Sequence, residues 1–284
     1  MRLSFTFRIW AVLALLIQST VAAVVAEGKE DNSSWLEPTS AWQVDYADAD
    51  CKLLRQFGSG DERVVLELRR SLAFDNDIWS LYGTGIPTYT YPVNLNLTLE
   101  PQHLNRQVEA QPYRLVDHPE KILKWVDIDR SLGSQMRDDQ TLRIGHGNRI
   151  DVGLRLPGMA KAIQALAKCH DDLFSHWGMT SEYRQKIKVK PEPANNAGRW
   201  ATNDDYPSAD RAYKNEGTTT FLLSVSSDGK TTECRIVGSS GFASLDERTC
   251  ELMRKRAVFH PARDAAGKPV ESYYVNRVRW QLPR

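Results

Sequence analysis

The sequence predicts an α+β chain in two parts: a mainly antiparallel β domain closed by one helix, then a smaller domain with a helix packed on a three-stranded antiparallel sheet. Three observations carry that expectation. Apolar and polar residues alternate with a period of two over much of 35–179, and the period turns helical near Met159. The stretch 207–284 reads strand, turn, strand, helix, strand.

The chain opens with Arg2 and Arg8 as a basic flank before an apolar run, Ile9 to Ile17, after which Gln18, Ser19 and Thr20 lead into Ala22, Ala23 and Ala26. That order predicts a cleaved signal peptide over 1–26. A spanning anchor needs roughly 20 apolar residues, and this stretch reaches that length only by counting its polar middle. An uncleaved anchor is the alternative, and membrane contact is expected only in that case. The formal net charge is +1, so bulk charge predicts no nucleic-acid partner. Residues 207–284 carry 13 basic and 9 acidic side chains, a mild excess that could favour acidic partners.

Within 35–179, Val64, Leu66 and Leu68 alternate with Val65, Glu67 and Arg69, and Val93, Leu95, Leu97 and Leu99 alternate with Asn94, Asn96, Thr98 and Glu100. Ile150, Val152, Leu154 and Leu156 repeat the pattern, and further strands are expected at 52–57, 78–82 and 122–128. Together they predict a sandwich or barrel. Met159, Ile163, Leu166, Cys169, Leu173 and Trp177 then recur at helical spacing, and Gly178 stands where a left-handed cap would end the helix. Residues 181–206, with Pro191, Pro193 and low hydrophobicity, read as a linker without a packed core.

Four cysteines in an exported chain predict disulfides, and none of them has Cys-x-x-Cys spacing. Three pairings are formally possible. Cys169 falls on the buried helical stripe and Cys51 at the start of the first strand, which pairs them unless both are buried free thiols. In the smaller domain, Phe221, Leu223 and Val225 share a face before Asp228-Gly229, a strong hairpin signal. A two-residue loop there would pair Val225 with Thr232, Leu223 with Cys234 and Phe221 with Ile236. Ser244 to Glu247 has the form of a capping box, and Cys250, Met253 and Ala257 follow on one helical face. Cys250 is thus expected to face Cys234, and a bond closing that loop would add roughly 3 kcal/mol. Core thiols are the alternative. A short helix is expected at 208–213. Val270 to Leu282 reads as a long strand, with Tyr274, Val278 and Trp280 on one side and Arg277 and Arg279 on the other.

The ordered set Tyr206-Pro207, Glu216-Gly217, Asp228-Gly229-Lys230, Ser239-Ser240-Gly241, Leu245-Asp246, Phe259-His260-Pro261-Ala262 and Gly267-Lys268-Pro269 resembles the TonB C-terminal domain signature in order and spacing. The resemblance covers about a quarter of the chain. It implies a periplasmic domain of a Gram-negative envelope that docks an extended segment of an outer-membrane transporter as an added strand. Such docking requires an available sheet edge. The stretch 273–280 is the candidate, with Tyr273, Val275, Arg277 and Arg279 as its contact residues and the two arginines facing acids on a partner. The domain before 181 resembles no family. A force-transmitting TonB carries an uncleaved membrane helix and a long proline-rich rod, and this sequence departs from both. Binding is therefore expected ahead of energy transduction, with an anchored transducer as an alternative.

No nucleophile elbow, phosphate loop or dinucleotide fingerprint is present, so no enzymatic activity, cofactor or metal is expected. His170 and His176 are six residues apart, which does not suit a helical zinc pair, and both read as exposed helix histidines. Trp42, Trp79, Tyr82, Tyr89, Tyr91 and Trp125 could line a small-ligand cleft, the remaining alternative, although such residues more often fill cores.

Overall fold

The computed structural model describes residues 35–73, 76–114 and 118–282, so the expected signal peptide at 1–26 lies outside the described residues. The first domain contains β1 (Trp35–Leu36), β2 (Gln43–Tyr46), β3 (Asp50–Phe57), β4 (Val64–Ser71), β5 (Asp77–Gly83), β6 (Val93–Glu100), β7 (Leu104–Arg114), β8 (Lys121–Asp127), β9 (Gln140–His146) and β10 (Ile150–Leu156). They form a sheet in the order β1-β10-β9-β6-β7-β8-β5-β4-β3-β2. β7 bends between two partners, pairing with β6 through Ala110 and with β8 from Gln111. The chain from β1 to β2 then joins the two ends. Leu36 lies beside Leu154 of β10, while Gly58 N–H donates to Glu37 O and Thr39 N–H to Gln56 O on β3. The sheet is therefore closed, which removes the open edges a sandwich would leave.

Inward-facing Leu53, Leu68, Trp79, Leu95, Trp125 and Ile144 fill the barrel. Four of its strands, β1, β2, β7 and β9, escape sequence reading. β7 has few apolar residues, and β9 begins on Gln140, an inward amide that is 1% exposed and bonded to Gln102, Gln135 O and Arg137 N–H. At one end of the barrel Arg70 clamps Asp77 through two hydrogen bonds of 2.8 and 2.7 Å. This bidentate geometry is what a buried carboxylate requires.

Helix α1 (Met159–His176) buries Met159, Leu166 and Cys169 in the same core, and a disulfide joins Cys169 to Cys51 on β3. Gly178 ends it with φ +85°, while Met179 N–H donates to Phe174 O and Gly178 N–H to Ser175 O. Those two bonds satisfy the last-turn carbonyls in the pattern of a Schellman cap.

The remaining elements are α2 (Ser181–Lys186), β11 (Glu192–Pro193), α3 (Ser208–Tyr213), β12 (Gly217–Val225), β13 (Thr231–Gly238), α4 (Ala243–Arg256), β14 (Phe259–His260), β15 (Ala262–Arg263), β16 (Pro269–Val270) and β17 (Ser272–Trp280). β13, β12 and β17 form the three-stranded antiparallel sheet, and α4 packs across it. A disulfide joins Cys234 on β13 to Cys250 on α4.

Two local expectations are corrected. Phe221 pairs with Ile236 and Leu223 with Cys234 as expected, but Val225 pairs with Thr231, not Thr232, after a register shift at Ser224. The cause is a longer loop: Ser226 N–H donates to Lys230 O and Gly229 N–H to Ser226 O, with Gly229 at φ +81°. A type I turn followed by a left-handed residue closes such a hairpin with a bulge. The capping box at Ser244 does not form, because α4 starts two residues earlier than that cap implies, at Ala243 after Phe242, and Ser244 Oγ donates to Asp210. Asp246 instead anchors this end, accepting from Thr219 Oγ1, Ser239 Oγ and Ser240 N–H. Burial alone would raise its carboxyl pKa, and these donors outweigh it and lower it.

The stretch 181–206 is ordered and packed, unlike the expected linker. Trp200 is 3% exposed against Phe259 and Tyr274, and β11 pairs with β14. Buried Asp205 accepts from Arg256 Nη1 at 2.5 Å and Nη2 at 2.8 Å, and from Arg248 Nη2 at 3.2 Å. The composition of this stretch is polar, yet Trp200 packs it on Phe259 and Tyr274, Asp205 ties it to Arg256 at the end of α4, and backbone bonds from Val189 and Ala194 add to these. A fragment beginning at Ala194 should therefore unfold at a higher temperature than one beginning at Pro207. Trp200→Ala should cost the longer fragment about 3–5 kcal/mol in urea titration, most of the difference between the two.

Candidate partner-binding edge

β17 lies at one side of its sheet and pairs with β12 without a register break, from Ser272 opposite Val225 to Trp280 opposite Gly217. Side chains and backbone groups both alternate along a strand. Tyr274, Val278 and Trp280 point toward α4 and join its core, whereas Tyr273 and Val275 pack on the barrel side with Leu222 and Val237. Arg277 and Arg279 continue that second face. The four residues expected from the sequence therefore share one side of β17.

They also share the outward backbone positions. Tyr273 N–H donates to Tyr183 Oη at 2.8 Å and Arg277 N–H to Asn276 Oδ1 at 2.8 Å, so these groups point away from β12. By the same alternation Val275 and Arg279 present their N–H and C=O groups outward. Tyr183 on α2 packs at a tilt against the Tyr273 ring, centroids 5.2 Å apart, and occupies the first outward donor. The usable edge thus runs from Val275 to Arg279, shorter than the sequence suggests, and within it the Arg277 N–H is held by the neighbouring Asn276 side chain, which a docking strand would have to displace.

β13, the other edge, is interrupted by shifts at Thr220/Phe221 and Ser224/Val225. Bulges of this kind blunt strand addition.

The Tyr273 end of the edge opens on a cavity of about 440 Å³ between the barrel and the sheet, lined in part by Arg70, His170, Phe174, Tyr183, Arg184 and Val275. His170 corrects the expectation of an exposed helix histidine: it is 3% exposed, its Nε2 lies 3.2 Å from Ser71 O, and its ring meets Phe174 edge-on. Its helix turns this residue inward beside Cys169, a placement that spacing relative to His176 does not reveal. The aromatic residues proposed for a ligand cleft are not brought together. Trp79 and Trp125 stack inside the barrel, Tyr82 Oη donates to Glu67, and Tyr91 is 78% exposed.

The smaller domain is thus an α+β sandwich of one helix on a three-stranded sheet, with one long regular edge and stabilised by one disulfide. Its family follows from comparison: residues 202–282 match the family described as Gram-negative bacterial TonB protein C-terminal. The C-terminal part of this chain is a TonB C-terminal domain, which supports a protein-interaction role in the Gram-negative envelope. The match begins at Thr202, whose N–H and hydroxyl both donate to Asp205, so it takes in the end of the expected linker. No curated protein matches the chain. Among the described residues no helix is long and apolar enough to cross a membrane.

The surroundings of His170 set a pH dependence. Burial, then the nearby Arg130 charge, push its pKa down to about 4, whereas an unfolded chain titrates histidine near ~6.5. Between these values the unfolded state binds more protons, so stability rises with pH. Acidification from about pH 6.5 to about pH 4 should progressively lower the thermal midpoint. His170→Gln should flatten that part of the profile in scanning calorimetry.

Proposed function

We propose that this protein binds an extended segment of a partner by adding it as a strand along Val275 to Arg279 of β17, and that it does so in the periplasm as part of outer-membrane transport or a related envelope process. The observation that carries the reading is the outward backbone of a regular edge strand in a TonB C-terminal domain. Main-chain hydrogen bonds would supply affinity, and the side chains beside them selectivity. The reading is one of binding, without catalysis. The ordered 181–206 stretch favours a fixed adaptor over a domain swinging on a long rod.

Val275→Pro tests it. Proline on an edge strand with its nitrogen facing outward leaves the ladder to β12 intact, so the variant should fold with both disulfides and lose an outward donor. Peptides from periplasm-facing segments of outer-membrane transporters should bind the parent chain and shift the Val275 and Arg279 amide resonances. The variant should bind at least about tenfold more weakly. Equal binding by both proteins would exclude this edge.

A further inference from the structure

Under the barrel-facing side of the sheet, Thr218 and Thr220 of β12, Gly238 at the end of β13, and Arg277 and Arg279 at the β17 side face the barrel wall across an open cleft of about 650 Å³. Its barrel wall is the outer face of β3, β4, β5 and β8, and it carries Lys52, Arg69 and Lys124, all half-buried. Lys52 and Arg69 are directly opposed across the β3–β4 pair. Like charges so placed repel. Nearby carboxylates offset them only loosely, Asp45 at 3.6 Å from Lys52 and Asp50 at 3.5 Å from Arg69. Tyr113 lines the same cleft with the Lys124 ammonium 4.9 Å from its ring. Five cations from two domains thus converge, against Asp48 and Asp50 as the acids in the lining. The crowding is felt by the groups themselves: burial and then Arg69 lower the pKa of both Lys124 and Arg277.

We infer that the segment taken up by β17 is acidic, and that the barrel domain forms half of its site by facing Lys52, Arg69 and Lys124 toward Arg277 and Arg279. This rests on the strand-addition reading above. An added strand lies roughly 4.8 Å from β17 and repeats its side-chain direction every second residue. Its barrel-side side chains would therefore line up with Arg277 and Arg279 at the mouth of the cleft. Carboxylates at alternate positions meet cations from both walls, and the remaining positions meet the α4 side, where Ala197, Trp200 and Phe221 line a smaller pocket of about 210 Å³. The occupant is thus an extended peptide that alternates acidic with apolar or small side chains. Backbone groups on the same strand favour a peptide over a polyanion without a strand-forming backbone.

The test uses the full exported chain and two synthetic peptides of about eight residues, a typical strand length, one alternating Glu with Val and the other Gln with Val. The Glu peptide should bind more tightly, and the preference should shrink as salt rises. Lys52→Gln with Lys124→Gln should weaken the Glu peptide about tenfold and leave the Gln peptide unchanged, with the thermal midpoint held. Equal loss for both peptides, or no loss for either, overturns the role given to the barrel. If Val275→Pro leaves the Glu peptide bound as tightly as the parent does, strand addition itself fails. If inorganic polyphosphate displaces the Glu peptide and binds the Val275→Pro variant undiminished, the cleft is a polyanion site and the peptide assignment is overturned.

Discussion

The three-stranded sheet has two apolar faces and one helix to cover them. Phe221, Leu223 and Val225 turn toward α4, but Leu222 and Val237 on the opposite face are also 0% and 1% exposed. Their cover comes from Leu72 and Ala49 of the barrel, Leu173, Phe174 and Trp177 at the end of α1, and Met179 after it. Burying a leucine or valine completely stabilises by roughly 1.5–3 kcal/mol. That requirement fixes the barrel against the sheet, and much of the remaining architecture follows from it.

Covering the second face decides which parts of the sheet stay available. The face itself is used up over Leu222, Val237, Tyr273 and Val275, leaving its far end, where Arg277 and Arg279 stand, as the floor of the open cleft. On the two sides, β13 is broken by register shifts while β17 is continuous. α2 then trims β17 by placing Tyr183 on its first outward donor. What survives is a short edge bounded by a cavity of mixed polar and apolar lining at one end and a basic cleft at the other.

Much of this was legible in the sequence where the pattern is local. Period-two runs gave β4, β6 and β10, the helical stripe gave α1, and hairpin register combined with helical spacing brought Cys234 to Cys250. The face of β17 shared by Tyr273, Val275, Arg277 and Arg279 was legible for the same reason, since alternation needs no tertiary information. What sequence reading missed depends on distant partners. A polar stretch becomes ordered because Arg256, some 50 positions later, meets Asp205, and Ser244 is drawn from its helix cap by Asp210. Lys52, Arg69 and Lys124 look like solvated strand positions until the sheet is set beside them.

The cost of that juxtaposition bears on what the first domain does. Holding cations together in a partly exposed cleft costs a fraction of a kcal/mol per pair in water, less than one well-buried leucine contributes. Apolar packing at Leu222 and Val237 can therefore hold the two walls at a fixed separation despite their repulsion. A flexible linker could not, because the walls would drift apart and relieve it. The ordered course of 181–206, tied by Trp200 and Asp205 at one end and by Tyr183 at the other, keeps the positive potential in place before any ligand arrives. An acidic segment entering such a site meets charges already positioned, so little of its binding free energy goes into ordering the protein. On this argument the barrel acts as a rigid second wall, and its filled interior is what makes it rigid.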